Sequence, residues 1–143
     1  MLHAIDRTTE RFMQLLDEAE RRREIGDLPL LFTETAELRT IGLETPLEGR
    51  EGVRKFWLDY LASFQGFHTN FLHVIEGRGG VALEWIGEGV LPSGESIAYS
   101  GVTVLELENG LIRRLRTYHD AAAPQRSAPA SAGASSGTSS SGG

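Results

Sequence analysis

The chain has 143 residues, of which 40% are hydrophobic and 24% are charged, and its formal net charge at pH 7 is −6. Such a length suits a single domain that can bury a core of its own. The sequence contains no cysteine, which excludes disulfide bonds, thiolate metal sites and a cysteine nucleophile. The negative charge argues against nucleic acid or an anionic membrane surface as the main partner, because both attract clustered positive charge.

No stretch of the sequence approaches the roughly 20 apolar residues that a membrane-spanning helix needs. Residues 1–12 contain acidic side chains where a signal peptide would carry an apolar run. We therefore expect a cytoplasmic protein that has no membrane partner.

Residues 124–143 differ in composition from the rest of the chain, because they consist almost entirely of Ser, Gly, Ala and Pro. Such a segment has little apolar surface to offset the entropy that is lost on ordering it. We predict a disordered tail over these residues and one folded domain over residues 1–123.

Two segments of this domain have the apolar spacing of amphipathic helices. In the first, the apolar residues between positions 5 and 19 fall near one stripe, and Gly26 is the predicted stop. Asp27 and Pro29 then favour a short helical turn. In the second, apolar residues recur at helical spacing from Val53 to Phe64. Residues 36–41 are predicted to form a short strand between the two helices.

After Gly66 the sequence becomes rich in β-branched and aromatic residues. Four such segments, at about 67–76, 80–91, 96–108 and 111–119, are separated by turns that contain glycine. Turns of this kind connect neighbouring antiparallel strands, so a four-stranded meander should follow the helices. This order is typical of an α+β fold in which helices pack on one face of a curved sheet.

Several short motifs resemble the nuclear transport factor 2-like superfamily and, within it, the SnoaL-like proteins. The motifs are Gly49-Arg50-Glu51-Gly52-Val53 at the start of the long second helix, Leu91-Pro92-Ser93-Gly94 in the central turn, and Asn109-Gly110-Leu111-Ile112 followed by Arg116-Thr117-Tyr118-His119-Asp120. The resemblance covers roughly residues 5–120, and residues 91–120 also resemble the limonene-epoxide hydrolases. It implies a cone-shaped, cystatin-like fold with a mainly antiparallel sheet and a pocket between the helices and the concave sheet face.

Enzymes and non-catalytic binders share this scaffold, so the resemblance alone does not assign an activity. It implies that the catalytic Asp of the cyclases and epoxide hydrolases falls on Thr117. It also places the Gln and His of the cyclases on Gly101 and Thr103, and the Arg and Asp of the epoxide hydrolases on Glu84 and Ile86. Because none of these positions matches, neither reaction is carried over to this chain.

The alternation of strand residues predicts which side chains line the pocket. The resemblance places Glu84 on the inner face, and a two-residue hairpin at the Gly-Arg-Gly turn would put Phe71 and His73 on the face of Glu84. The expected polar lining is Glu84, His73, His119, Thr103, Thr117 and Tyr99, and the expected apolar walls are Phe12, Leu16, Phe32, Phe56, Tyr60, Phe71 and Ile86.

A carboxylate in such a pocket would be a proton donor or acceptor, because desolvation raises the pKa of a carboxyl group. We predict that Glu84, paired with His119 or His73, performs acid–base chemistry on a small apolar substrate, as an isomerase, cyclase, dehydratase or hydrolase. For Glu84, a solvent-exposed position or an ion pair with Arg78 is the alternative. No metal or other cofactor is expected, because no His spacing matches a metal motif. The alternative function is a protein of the same fold that binds a hydrophobic ligand without converting it.

Strand residues of the opposite parity are mostly apolar, which is unusual for a sheet face in contact with water. These residues are Leu72, Val74, Val81, Leu83, Trp85, Val102, Val104 and Tyr118. An apolar face of this size needs cover, so a homodimer that packs through the outer sheet face is predicted. An interaction module that uses this face, with a small or collapsed pocket, is the third possibility.

Overall fold

The computed structural model describes residues 6–120. The elements in chain order are α1 (Arg7–Arg22), a 3-10 turn (Leu28–Leu31), β1 (Phe32–Thr40), β2 (Leu47–Glu48), α2 (Gly49–Ala62), β3 (Gly66–Gly77), β4 (Gly80–Val90), β5 (Ser96–Glu108) and β6 (Leu111–His119). The predicted tail over residues 124–143 lies outside the described residues, and so does Ile5 of the first apolar stripe.

Helix α1 begins where its sequence supplies a cap and ends at a residue that makes a tertiary contact. The carboxylate of Asp6 accepts hydrogen bonds from two backbone N–H groups of the first turn. The helix ends at Arg22, before the predicted stop at Gly26, and Arg23 takes a left-handed conformation with φ 61°. The guanidinium of Arg23 donates to the carbonyl oxygen of Leu61 at 2.7 Å, which joins the carboxyl ends of the two helices.

Helix α2 buries the apolar residues that its spacing predicts, and it forms the centre of the core. Trp57 contacts the rings of Phe12 from α1, Phe32 from β1, and Phe56 and Tyr60 from its own helix. Aromatic rings in edge or tilted contact add to the energy of burial. Both helices pack through this cluster on one face of the sheet.

The sheet has six strands in the order β2-β1-β6-β5-β4-β3. All neighbouring strands are antiparallel except β1 and β6, which are parallel. The predicted α+β fold class and the four-stranded meander, β3 to β6, are confirmed. Strand β1 begins four residues earlier than predicted, and the two-residue strand β2 has no periodic signal in the sequence.

The phase of strand β4 is opposite to the prediction. Leu83 pairs with Thr103, and Trp85 pairs with Gly101, so these residues share the inner face of the sheet. Val81, Leu83 and Trp85 are buried there, and Val74 packs against the same core. Their assignment to the outer face is therefore wrong.

A β-bulge in strand β3 separates two parts of the strand that have opposite phase. The hairpin closes through two residues as predicted, and it pairs Val74 with Leu83 and His73 with Glu84. The register shifts at Leu72, so Phe71 pairs with Trp85 instead. Phe71 consequently lies on the inner face of the sheet and His73 lies on the outer face.

Candidate functional site

A cavity lies between the two helices and the inner face of the sheet. Its empty volume is about 470 Å³ when its open mouth is included. Aromatic and aliphatic side chains form most of its wall, and a few hydroxyl groups and one imidazole interrupt it. The lining residues are Phe12, Leu16, Phe56, Trp57, Tyr60, Phe67, Thr69, Phe71, Trp85, Tyr99, Thr103, Leu115, Thr117 and His119.

The structure brings together nine of the residues that the sequence assigned to the pocket. These are Phe12, Leu16, Phe56, Tyr60, Phe71, Tyr99, Thr103, Thr117 and His119. Phe32 is buried in the core against Trp57 but does not line the cavity. Glu84, His73 and Ile86 lie on the other face of the sheet, where all three are exposed.

Glu84 and His73 do contact each other, but in solvent. His73 Nδ1 lies 2.6 Å from Glu84 Oε1, and the two side chains are 69% and 50% exposed, respectively. The prediction that Glu84 points into the pocket is therefore wrong, because β4 places its odd-numbered residues inward. Water screens an exposed pair of this kind, so it contributes little to stability. It is also too far from the cavity wall, on the opposite sheet face, to act on a ligand there.

His119, at the end of β6, is the titratable residue that lines the cavity with an imidazole ring. Its Nδ1 lies 3.2 Å from the carbonyl oxygen of Asp120, and its ring packs against Tyr99 with 5.3 Å between ring centroids. A carbonyl oxygen can only accept, so Nδ1 carries the proton in this contact. In the neutral ring Nε2 then keeps its lone pair, which is the form that accepts a proton.

Three polar groups form a short hydrogen-bonded chain along the sheet side of the cavity. Trp85 Nε1 donates to Thr103 Oγ1 at 3.0 Å, and Thr103 Oγ1 lies 3.1 Å from Thr117 Oγ1. Both threonines are buried. Thr117 occupies the position at which the resemblance expected a catalytic Asp, so a hydroxyl group replaces a carboxylate there.

Glu20 is a buried carboxylate beside the cavity that the sequence analysis did not single out. Only 4% of this residue is exposed. Its Oε2 accepts hydrogen bonds from the hydroxyl groups of Tyr60 and Thr69, both at 2.6 Å, and its Oε1 accepts the Thr69 backbone N–H at 2.8 Å. Burial raises the pKa of Glu20, and the bonds from Thr69 and Tyr60 and the charge of His68 partly oppose this rise.

The spacing of Glu20 could have revealed it. Glu20 follows Phe12 and Leu16 at intervals of four residues, so it lies on the buried stripe of α1 and not on its polar face. It was overlooked because the neighbouring residues, Arg21 and Arg22, make the end of the helix look uniformly charged.

The described part of the chain contains no group of three or more His, Cys, Asp or Glu side chains that could hold a metal ion. None of the helices within residues 6–120 is long and apolar enough to cross a membrane.

The architecture is that of the nuclear transport factor 2-like proteins. One such protein from Anabaena variabilis has a TM-score of 0.74 and 18% identity, and the match covers 85% of this chain and 95% of that one. A protein from Jannaschia sp. CCS1, provisionally named a SnoaL-like polyketide cyclase, has a TM-score of 0.69 and 18% identity, with 84% and 90% covered. TerC, crystallised with polyporic acid, has a TM-score of 0.67 and 16% identity, with 79% and 92% covered.

At these identities the structural likeness shows the fold and not the activity. The family of the SnoaL-like domain matches residues 10–115. The chain therefore belongs to the SnoaL-like family, as the motifs of its sequence indicated. No curated protein matches the sequence.

Proposed function

We propose that this protein is an enzyme that performs metal-free acid–base chemistry on a small apolar molecule, with His119 as the proton-accepting group. The observation that carries the proposal is the position of His119 at the cavity, where Asp120 holds Nδ1 protonated and leaves Nε2 able to accept. An imidazole suits this role because its ordinary pKa lies close to neutral pH.

The composition of the cavity wall is evidence that the substrate is small and apolar. Rings of Phe12, Phe56, Trp57, Phe67 and Phe71 surround the space, and such surfaces favour molecules that lose apolar area to them. Two structural neighbours have names that agree with this substrate class, since one is provisionally a polyketide cyclase and one was crystallised with polyporic acid.

The proposed reaction moves a proton within the bound molecule. His119 Nε2 accepts a proton from a carbon or hydroxyl of the substrate, and the resulting imidazolium returns that proton at another position or to a leaving oxygen. Isomerisation, cyclisation and dehydration fit this sequence of steps. In hydrolysis His119 would instead take the proton of a water that attacks the substrate, and the imidazolium would protonate the leaving oxygen. The hydroxyl groups of Tyr99, Thr103 and Thr117 would orient the polar part of the substrate, and Leu16 and Tyr60 would hold its apolar part.

A substitution at His119 tests the proposal. Small ketones, epoxides and lactones are first screened for ligands that raise the melting temperature, since a molecule bound to the folded state stabilises it. Compounds that bind are then incubated with the protein in D₂O, and proton exchange and conversion are followed by NMR. We expect His119→Gln to bind the same compounds but to lose roughly a hundredfold or more of the rate, which is the usual contribution of a positioned base.

His68→Gln is the matched control, because His68 is exposed and does not line the cavity. Its rate should equal that of the original protein. The alternative function, a protein that binds a hydrophobic ligand without converting it, predicts binding with no exchange or conversion by any variant. That result would contradict the catalytic proposal.

We also propose that two copies of the chain pack through the outer sheet face. Leu72, Ile75, Ile86 and Tyr118 are exposed large apolar residues on this face. Several exposed large apolar side chains on one sheet face favour an interface, and a second copy presents the same surface. The corrected phase of β4 removes Val81, Leu83 and Trp85 from this face but adds Ile86.

Light scattering at micromolar concentration should give the mass of a dimer. The charge introduced by Ile86→Asp would be desolvated in the interface, so this variant is expected to be monomeric. Leu30→Asp is the control, because Leu30 is also exposed but lies in the 3-10 turn away from the sheet. A monomeric original protein, or a dimer that persists in Ile86→Asp, would contradict the proposed interface.

A further inference from the structure

The hydrogen-bonded chain of Trp85, Thr103 and Thr117 contains three donor protons, and only two of them have an acceptor. Its donors are one indole N–H and two hydroxyl groups. The indole proton goes to Thr103, and one hydroxyl proton lies between the two threonines. Whichever threonine donates in that bond, the other hydroxyl keeps a proton for which the hydrogen bonds of the described residues provide no acceptor.

The remaining proton most favourably belongs to Thr117. A hydroxyl group that accepts a hydrogen bond becomes a better donor, so the chain runs from Trp85 to Thr103 and from Thr103 to Thr117. Thr117 is 5% exposed and Thr103 is 8% exposed, and both line the cavity. A buried donor without an acceptor is destabilising, so the occupant of the cavity is expected to supply the missing acceptor.

A second buried donor belongs to another residue of the cavity wall. The indole Nε1 of Trp57 has no hydrogen-bond partner among the described residues, and Trp57 also lines the cavity. The surrounding wall is mostly aromatic, so the acceptor has to be carried by a molecule that is otherwise apolar.

We propose that the Thr103–Thr117 pair is a binding subsite for a carbonyl oxygen, and that the ligand is an apolar, ring-containing carbonyl compound. This inference rests on the proposed function only in that it requires the cavity to bind a small apolar molecule. A carbonyl oxygen matches the site because it accepts without adding a further donor. Thr117 donates to the oxygen, and Trp85 orients the pair from behind.

Two ligands of nearly equal shape test the subsite. 1-Indanone carries a carbonyl group where indane carries a methylene, and the dissociation constants of both are measured by calorimetry. The readout is the ratio of the two constants, because any general change in the cavity affects both ligands alike. In the variant Thr103→Val/Thr117→Val we expect the preference for 1-indanone over indane to fall by about tenfold, the effect of losing one buried hydrogen bond.

The single variants should have smaller effects, because the hydroxyl group that is left can turn toward the ligand. Thr9→Val is the matched control, since Thr9 is fully buried in α1 but does not line the cavity. His68→Gln, which lies outside the cavity, should also leave the ratio unchanged.

The carbonyl stretching band of bound 1-indanone gives a second measurement that does not depend on the folding of any variant. In complex with the original protein the band should lie at lower wavenumber than in hexane, because a donated hydrogen bond weakens the carbonyl bond. A band at the hexane position, or a ratio that the double variant leaves unchanged, would overturn the subsite while the cavity proposal stands. If neither ligand binds, the proposed subsite for a ring-containing carbonyl compound is overturned, whereas the proposed function is decided by the separate screen of ketones, epoxides and lactones.

Discussion

Replacing Glu20 with alanine is expected to lower the free energy of unfolding by about 3 kcal/mol. The carboxylate accepts three hydrogen bonds from Tyr60 and Thr69 in a site that is almost closed to water. Alanine would leave these donors without their acceptor and would also leave a space between α1, α2 and β3. Urea denaturation with the original protein and Glu20→Ala measures the loss.

The variant Glu20→Gln separates the charge of Glu20 from its hydrogen bonds. Because burial raises the pKa of Glu20, the folded state holds the proton more tightly than the unfolded state does. The original protein therefore has the full benefit of this group below its usual pKa of 4.5, and it loses that benefit as the pH rises through the raised value. Glutamine has no proton to lose, so its contribution should not change over this range.

The free energy of unfolding of the original protein should therefore fall relative to that of Glu20→Gln as the pH rises from about 4 to about 8. The charge of His68 acts on the carboxylate of Glu20 but not on glutamine, so both proteins are compared in a His68→Gln background. A difference that stays constant with pH, or moves in favour of the original protein, would show that the pKa of Glu20 is not raised.

Gly101→Ala is expected to lower the free energy of unfolding by about 3 kcal/mol, at the upper end of the usual cost of overpacking. A Cβ atom at this position would lie 2.4 Å from the backbone oxygen of Tyr118 and 2.6 Å from Cζ2 of Trp85. The first contact is with the neighbouring strand, which cannot move without disturbing the β5–β6 pairing. The second would displace the indole ring that donates to Thr103.

Gly66→Ala is the matched control for this substitution. Gly66 also lies in a strand, and a Cβ atom there would have no heavy atom within 4 Å. Its stability should change by less than about 0.5 kcal/mol, as for most surface substitutions. Equal melting temperatures for Gly101→Ala and the original protein would contradict the close contact between β5 and Trp85.

The fold could be predicted from the sequence because its elements have strong local patterns. The apolar residues of α2 recur from Val53 to Leu61, over more than two turns, and each turn between β3 and β6 contains glycine. The end of α1 could not be predicted in this way, since Arg23, which has no glycine-like signal, takes the left-handed conformation there and bonds the distant Leu61. Strand β2 is two residues long, which is too short for a periodic signal.

The candidate site was predicted less well, because the residues of β4 were assigned to the wrong faces of the sheet. On β5 and β6 the alternation of residues placed Tyr99, Thr103, Thr117 and His119 on the cavity side, where the structure has them. On β4 the resemblance places Glu84 on the inner face, whereas the alternation of Val81, Leu83 and Trp85 assigns it to the outer face. Local burial patterns were the better guide, because one residue of misalignment exchanges the two faces of a strand.

The buried carboxylate was missed for a different reason. A polar residue on an apolar stripe is recognised only when the stripe is followed to the end of the helix. Glu20 is the last buried residue of the stripe in α1. Its partners, Tyr60 and Thr69, come from two other elements, so their convergence is a property of the tertiary structure.

The bulge at Leu72 has a consequence for how this family can change. It lets Phe67, Thr69 and Phe71 face the helices on one side of it while Val74 does so on the other. Leu72 is the extra residue of the bulge, so deleting it would leave Phe71 opposite Trp85 and His73 opposite Glu84, with both halves of the strand facing as they do now. A descendant can therefore lose a residue at this point without remodelling the cavity, whereas a deletion elsewhere in β3 would exchange the two faces of part of the strand.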